Sequence, residues 1–314
     1  MVPWIWAEIV RLVSWDEQVE LFIPEGSEKA IRGMLDRAGA DCKSVSLYSQ
    51  STNRVWMRDA GGIFVKDPKG KKTLLDWRFN AWAKYGDWQL DDALPKAMAK
   101  IRGLQKSCVV QPHFARKRVV LEGGAIDGNG AGVLLTTREC LLSKVQERNR
   151  GFDQANYEAM FKEYLGISKV IWLEQGIEGD DTHGHVDDLA RFVGPNTVVL
   201  VVEKDKTLPN HGPLFKNLEI LKGEIMPSGR PLEIIPLPMP RPVVFRGQVL
   251  PASYANFILT NSSVLVPTFH DEADSRALGI LADCFPGRKV IGVHARDLVW
   301  GLGTLHCLSQ QEPD

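Results

Sequence analysis

Five times along this 314-residue chain, a helical pattern of apolar residues is followed closely by a short apolar strand pattern. The helical stretches are EGSEKAIRGMLDRAG, WQLDDALPKAMAKI, DQANYEAMFKEYLG, HGPLFKNLEILKGEI and DEADSRALGILADCF, opening near Glu25, Trp88, Asp153, His211 and Asp271. Each places apolar side chains at three- and four-residue intervals, on one face of a helix. The strands that follow are SVSLY, SCVVQ, SKVIWL, LEIIPL and RKVIGV. Most helices are also preceded by one or two strands, such as GIFVKD with KTLLDW, ARFVG with TVVLVVE, and FILT with SVLVPTF. A strand-strand-helix-strand (ββαβ) unit recurring about every 60 residues predicts an α/β propeller or solenoid. Five such units would close into a ring, a pseudo-symmetric five-bladed α/β propeller with no sheet edges left open. The first unit is incomplete, since only EQVELFI precedes its helix. Either its closing strand comes from the C-terminus or the N-terminus is clipped.

Composition narrows the function classes. With 38 basic and 39 acidic residues the formal charge is −1, which gives no broad footprint for nucleic acid or an anionic membrane. No apolar run approaches the roughly 20 residues of a membrane-spanning helix. The opening MVPWIWAEIVRLVSW carries Glu8 and Arg11 and reads as an amphipathic helix, not a signal peptide. The five cysteines are scattered, without CxxC pairs. They argue against a disulfide framework and a thiolate zinc site, and suit a reducing compartment, so cytoplasmic is the expected location. The whole chain, 1–314, reads as a single domain.

The polar residues follow the period. Asp59 lies in NRVWMRDAGG, Glu122 in VVLEGGAID, His185 and Asp187 in GDDTHGHVDD, and Cys307 in GLGTLHCLSQ. Asp59 to Glu122 and Glu122 to His185 are each 63 positions; His185 to Cys307 is 122, about two periods. All fall after the last strand of one unit and around the first strand of the next, and in a ring such loops converge on the axis. The remaining slot, around FRGQVLPASYANF, offers Arg246, Tyr254 and Asn256. His183-x-His185-x-Asp187 superficially resembles a metal-binding run. However, no histidine at position 188 continues an HxHxDH-type pattern, and no second histidine pair occupies another slot. Three carboxylates, one imidazole and one thiol suit an organic cation, and the thiol favours that reading over a metal. Asp180, Thr182 and Asp188 read as turn and cap residues. Gly301 and Gly303 let the backbone beside Cys307 approach a ligand closely. Cys42, Cys108, Cys140 and Cys284 read as structural.

WMRDAG, LEGGAI, DDTHGHVDDLARF, LPASYANF and GLGTLHCLSQQ, in this order and over nearly the full length, resemble the agmatine deiminases. These group with the Porphyromonas-type peptidylarginine deiminases, among guanidine-modifying enzymes of the five-bladed pentein fold. The resemblance implies a cofactor-free and metal-free hydrolase that converts agmatine and water to N-carbamoylputrescine and ammonia. Its partner is a small cationic guanidino substrate, and a homo-oligomer stays open. By motif, the resemblance makes Cys307 the nucleophile and His185 the general acid and base. Glu122 assists the histidine, and Asp59 and Asp187 clamp the guanidinium. Trp56 and Trp82 match pocket tryptophans, and Asp181 lies where an acid faces the far amine of agmatine. Three departures stand out: Gly62 replaces a proline after the RDxG motif, Leu302 replaces the middle of three glycines before His306-Cys307, and the family's opening Trp-Pro segment and first strand are missing.

The chemistry wants these residue types. A guanidinium is planar and charged at physiological pH, and its carbon is a poor electrophile. Two carboxylates fix its plane by forked, charge-assisted bonds, and a thiolate attacks better than a hydroxyl. The nearby carboxylates raise the thiol pKa in free protein and an arriving cation lowers it. His185 protonates the departing nitrogen and then serves as base for water. Peptidyl-arginine, free arginine or a longer guanidinoalkylamine are the alternative substrates, with Arg191 and Arg246 as the candidates for an α-carboxylate. A non-catalytic ring used for binding is the rival from another class, and a cysteine protease lacks its expected sequence context.

Overall fold

The structure of the chain, a computed structural model, describes residues 2–313. Four sheets share one pattern. Ile63–Lys66 pairs antiparallel with Lys72–Leu75, which pairs parallel with Val109–Val110. Asp127–Gly128, Val133–Thr137 and Lys169–Leu173 repeat it. So do Ala190–Gly194, Thr197–Val202 and Glu233–Pro238, and then Ile258–Leu259, Ser263–Thr268 and Lys289–His294. A parallel neighbour demands a crossover. The helices Leu94–Ile101, Gln154–Leu165, His211–Lys222 and Asp274–Cys284 supply it in turn. The first unit has only Val19–Ile23 and Val45–Ser49, parallel across the helix Glu28–Ala38. Among the described residues no C-terminal strand completes that sheet, so the expected closure from the chain's end is not found.

The mixed α/β architecture follows from burial. The central strands Val133–Thr137 and Thr197–Val202 are apolar runs, buried along almost their whole length, as strands covered on both faces must be. The run VLLTT at 133–137 is a strand that the helix-strand pattern passes over. The second helix begins at Leu94, not at Trp88. Pro95 fits only a first turn, because in a helix interior its ring would strike the carbonyl four residues back. Asp91 and Asp92 also point their carboxylates elsewhere, at the amides of Asn53, Arg54 and Phe79. The N-terminal stretch is a helix, Val2–Ser14, whose Ala7 and Val10 pack against Leu35 and Val45. Among the described residues no helix is long and apolar enough to cross a membrane.

One side of this architecture concerns chemistry. The segments leaving the last strand of each unit run through residues 50–62, 111–126, 174–189, 239–257 and 295–313. The first and last of these are joined directly. Arg58 N donates to Cys307 O at 3.1 Å, Arg58 Nη1 to Gln310 Oε1 at 2.8 Å, and Gln310 Nε2 to Gly62 O at 3.0 Å.

Candidate active site

Each of the five segments delivers a side chain to one cluster. The short helix Met57–Ala60 carries Asp59, whose Oδ2 accepts a hydrogen bond from Trp82 Nε1 at 2.9 Å and whose Oδ1 accepts one from Gly124 N at 3.1 Å. Trp82 reaches it through a left-handed turn, with φ of 50°, 59° and 54° at Ala81, Trp82 and Ala83. That conformation costs L-residues about 1–2 kcal/mol each; Asn80 offsets part of it by accepting from Ala83 N at 2.9 Å. His185 stands between two acids, Nδ1 3.7 Å from Asp59 and Nε2 3.7 Å from Glu122. Only glycine permits this approach, since a Cβ at position 124 would stand 2.5 Å from His185 Nδ1. Asp180 shapes the histidine loop, accepting from Thr182 N, Gly184 N and His185 N at 2.8, 2.7 and 3.0 Å.

Cys307 comes from the C-terminal segment. Its Sγ lies 3.8 Å from Asp187 Oδ2 and accepts from Asn256 Nδ2 at 3.1 Å. Asn256 binds in several directions, also donating to Asp188 Oδ1 at 2.9 Å and accepting from Thr304 Oγ1 and His306 N at 2.7 and 2.9 Å. His306 Nδ1 is 2.6 Å from Asp187 Oδ2. Gly303 has the role expected of a close approach, but towards Trp56: a Cβ there would lie 2.8 Å from the indole and 3.1 Å from Cys307 Cβ.

Burial sets the charge states. Burial would raise the Glu122 pKa, but Arg148 and His185 overcome it and hold the carboxyl down at about 2. The Arg148 guanidinium, itself fully buried, lies 3.1 Å from Glu122 Oε1. Burial alone would lower His185; the charge of Asp59, with Cys140 and Glu122 close by, carries it well above its ordinary value. His306 goes the other way, lowered by burial and by Arg191 and Arg58, and its Nδ1 shares a hydrogen bond with Asp187. Burial pushes up both Asp187 and Cys307, and the thiol is raised further by Asp187, Asp188 and Asp59. The resting sulfur is a thiol. His185 Nδ1 and Nε2 and Asp187 Oδ1 are buried and make no hydrogen bond to the protein.

A cavity of about 170 Å³ opens onto this cluster, lined by Trp56, Asp59, Trp82, Asp181, Gly303 and Cys307 among others. Thus Asp59, Glu122, His185, Asp187 and Cys307 are brought together, Trp56 and Trp82 wall the cavity, and Asp181 lies towards its mouth. Asp181 is already engaged, by Lys84 on Oδ1 and by Tyr85 Oη on Oδ2 at 2.7 Å. Asp188, read from sequence as a turn residue, is instead a buried partner of Asn256. Arg191 is no candidate for a ligand carboxylate: it is buried against Asp127 at 2.7 Å and the carbonyls of Ala255 and Phe257. Arg246 is exposed over Phe245, and Tyr254 is bound to Asp274 at 2.7 Å. Arg148, Asn256 and His306 act in the site without having been assigned a role from sequence. Gly62 fits a spot filled by Leu74, whose Cδ1 would lie 2.4 Å from an added Cβ. Leu302 lines the cavity from a left-handed backbone, φ 69°. Two groups, Glu122–Cys140–His185 and Asp187–Asp188–Cys307, have ligand atoms close enough to share a metal ion. In the first, Arg148 already supplies the cation that Glu122 needs.

The model of the Porphyromonas-type peptidyl-arginine deiminase family matches residues 1–313. The chain belongs to that family. Among its relatives is a protein of Marinomonas sp. (strain MWYL1) named "Putative agmatine deiminase", 36% identical over 281 residues, covering 82% of this chain and 73% of that one. The solved structure of a cysteine-to-serine variant of C. jejuni agmatine deiminase with substrate bound is 33% identical, with a TM-score of 0.87 over 98% of this chain and 86% of its own. The Enterococcus faecalis agmatine deiminase is 29% identical, with a TM-score of 0.89 over 98% and 87%.

Proposed function

We propose that the chain is a hydrolase that removes one nitrogen from the guanidinium of a small guanidino substrate of about the size of agmatine, with Cys307 as nucleophile. One observation carries this: the Cys307 sulfur lies 3.8 Å from Asp187 on a cavity that Asp59 also lines, with His185 held between Asp59 and Glu122. The guanidinium seats between Asp59 and Asp187, whose free Oδ1 is an acceptor without a protein partner. Its charge lowers the thiol pKa, and the sulfur attacks the guanidinium carbon. A carbon–sulfur bond forms, and the thiol proton leaves to solvent or to a neighbouring carboxylate. The imidazolium of His185 protonates one amino group, the carbon–nitrogen bond breaks, and ammonia departs. Neutral His185 then takes a proton from water, which attacks the amidino-cysteine carbon. Collapse breaks the carbon–sulfur bond and returns the thiol. Net, guanidinium and water give a ureido compound and ammonium; from agmatine the product is N-carbamoylputrescine. Relatives named agmatine deiminases support that substrate class. In the same reading the five units form a pentein ring, supported by the five inter-sheet segments that each send a residue to one cluster.

The test incubates the chain with agmatine, arginine and a peptidyl-arginine, with and without a chelator, and follows ammonia and ureido product. Release from at least one compound, unchanged by chelator, is expected. Loss of activity on metal removal would overturn the metal-free mechanism.

A further inference from the structure

We propose that Arg54 selects the substrate's tail, and that this chain acts on guanidino compounds ending in a carboxylate in preference to agmatine. The inference rests on the deiminase reading above and deepens it.

A guanidinium held at the inner end leaves the rest of the molecule facing the outer lining of the same cavity: Arg54, Tyr85, Asp181, Thr182 and Leu302. The acid there is Asp181, and both its oxygens are occupied by Lys84 and Tyr85. The hydrogen bond to Asp181 raises the Lys84 pKa, so the ammonium stays charged. An ammonium tail would have to displace one fixed cation while approaching another.

That other cation is already built for an anion. The Arg54 side chain is only 17% exposed, and its guanidinium stacks over the rings of Tyr85 and Trp82, 4.9 and 5.6 Å from their centroids. Stacking fixes its plane, so little rotamer freedom remains to be lost when a carboxylate binds. Asp87 holds one edge, with Arg54 Nη2 2.6 Å from Oδ1 and Nη1 bonded to the Asp87 carbonyl. The Asp87 side chain is 68% exposed, so its charge is screened by water. Asp91 lies 3.5 Å from Nη1, buried away from the cavity and anchored by the amides of Asn53 and Arg54. With Asp87 on Nη1 and Nη2 and Asp91 beside Nη1, the Nε–H and the second Nη2 N–H are left for a ligand.

Agmatine and 4-guanidinobutyrate are nearly equal in length and differ at the tail, an ammonium against a carboxylate. With the full-length chain, kcat/KM for 4-guanidinobutyrate should exceed that for agmatine by about 10-fold or more. Arg54→Gln should cut 4-guanidinobutyrate turnover by roughly 10- to 100-fold, the weight of a charged hydrogen bond, and Arg54→Glu should invert the preference. The wild-type comparison stands even where a variant folds poorly. Ammonia released faster from agmatine, with a ratio that Arg54→Gln does not move, overturns the tail assignment and leaves deimination intact. No ammonia from agmatine, 4-guanidinobutyrate, arginine or a peptidyl-arginine overturns the deiminase reading and this inference with it.

Discussion

At its inner end the cavity is lined by Asp59 and Cys307, and Glu122, Asp187 and Asp188 are buried behind them. At its outer end Arg54 is paired with Asp87, and Asp181 with Lys84. The inner acids are costly to bury unless a cation answers them. The protein supplies one for Glu122, in Arg148, and leaves Asp187 Oδ1 without a partner. The outer end is the reverse: its acid is answered from within the chain, and the guanidinium of Arg54 keeps unused donors. On the proposed reading, the reacting group is recognised by a buried deficit of positive charge and the tail by the spare donors of Arg54.

The sharpest way to break this comparison is at the inner end. Cys307→Ala should lower ammonia release by about 10⁴-fold or more, and Asp187→Asn should be nearly as severe; substantial turnover by the alanine variant defeats the nucleophile assignment. Next is the built-in cation. Arg148→Met leaves buried Glu122 with His185 alone to answer its charge and should cost about 3–5 kcal/mol in urea unfolding. The pH dependence follows with its sign. The Glu122 pKa is depressed from 4.5 to about 2, so its stabilising contribution is present above pH 4.5 and is lost as pH falls towards 2. Wild type should lose stability across that window, and Arg148→Met should show little of that loss.

A smaller effect is expected where the thiol is held. Asn256→Asp keeps an acceptor for Thr304 and His306 but removes the donor to Cys307, and kcat should fall about 10- to 100-fold. A structural role alone would alter stability without moving the pH profile of thiol alkylation; loss of the donor should move it upward. In wild type the raised thiol pKa predicts iodoacetamide alkylation that climbs into the alkaline range, and a bound guanidino ligand should shift that climb to lower pH. A thiol reacting as thiolate well below neutral pH, without ligand, would contradict this. The least effect belongs to the outer wall. Leu302→Gly relieves a left-handed backbone and should add about 1 kcal/mol to stability, while widening the cavity raises KM.

Much of the inner end was legible because it is periodic. Asp59, Glu122, His185 and Cys307 recur at one place in a repeating unit, and a repeat in sequence becomes convergence in space. Arg148 carries no such mark: it lies beyond the short helix Arg138–Leu142 and reaches Glu122 only through the folded chain. Arg54 sits five residues before Asp59 in a matched segment, yet its aim depends on Tyr85 and Asp87, which follow the next hairpin. The secondary structure divides the same way. Helices with clean apolar stripes were readable, whereas Trp88–Ala93 was pulled out of its helix by Pro95 and by carboxylates bonded to distant amides.

The buried seat of His185 has a kinetic corollary. The histidine and Glu122 lie behind the lining residues, and the cavity leads outward past Tyr85 and Leu302. On the proposed mechanism, the alkyl chain of the amidino-cysteine would still fill that lane once ammonia had been released inside. Outgoing ammonia and incoming water would have to slip past it, so the bulk of the tail, more than the strength of the nucleophile, would set the pace of the second half-reaction.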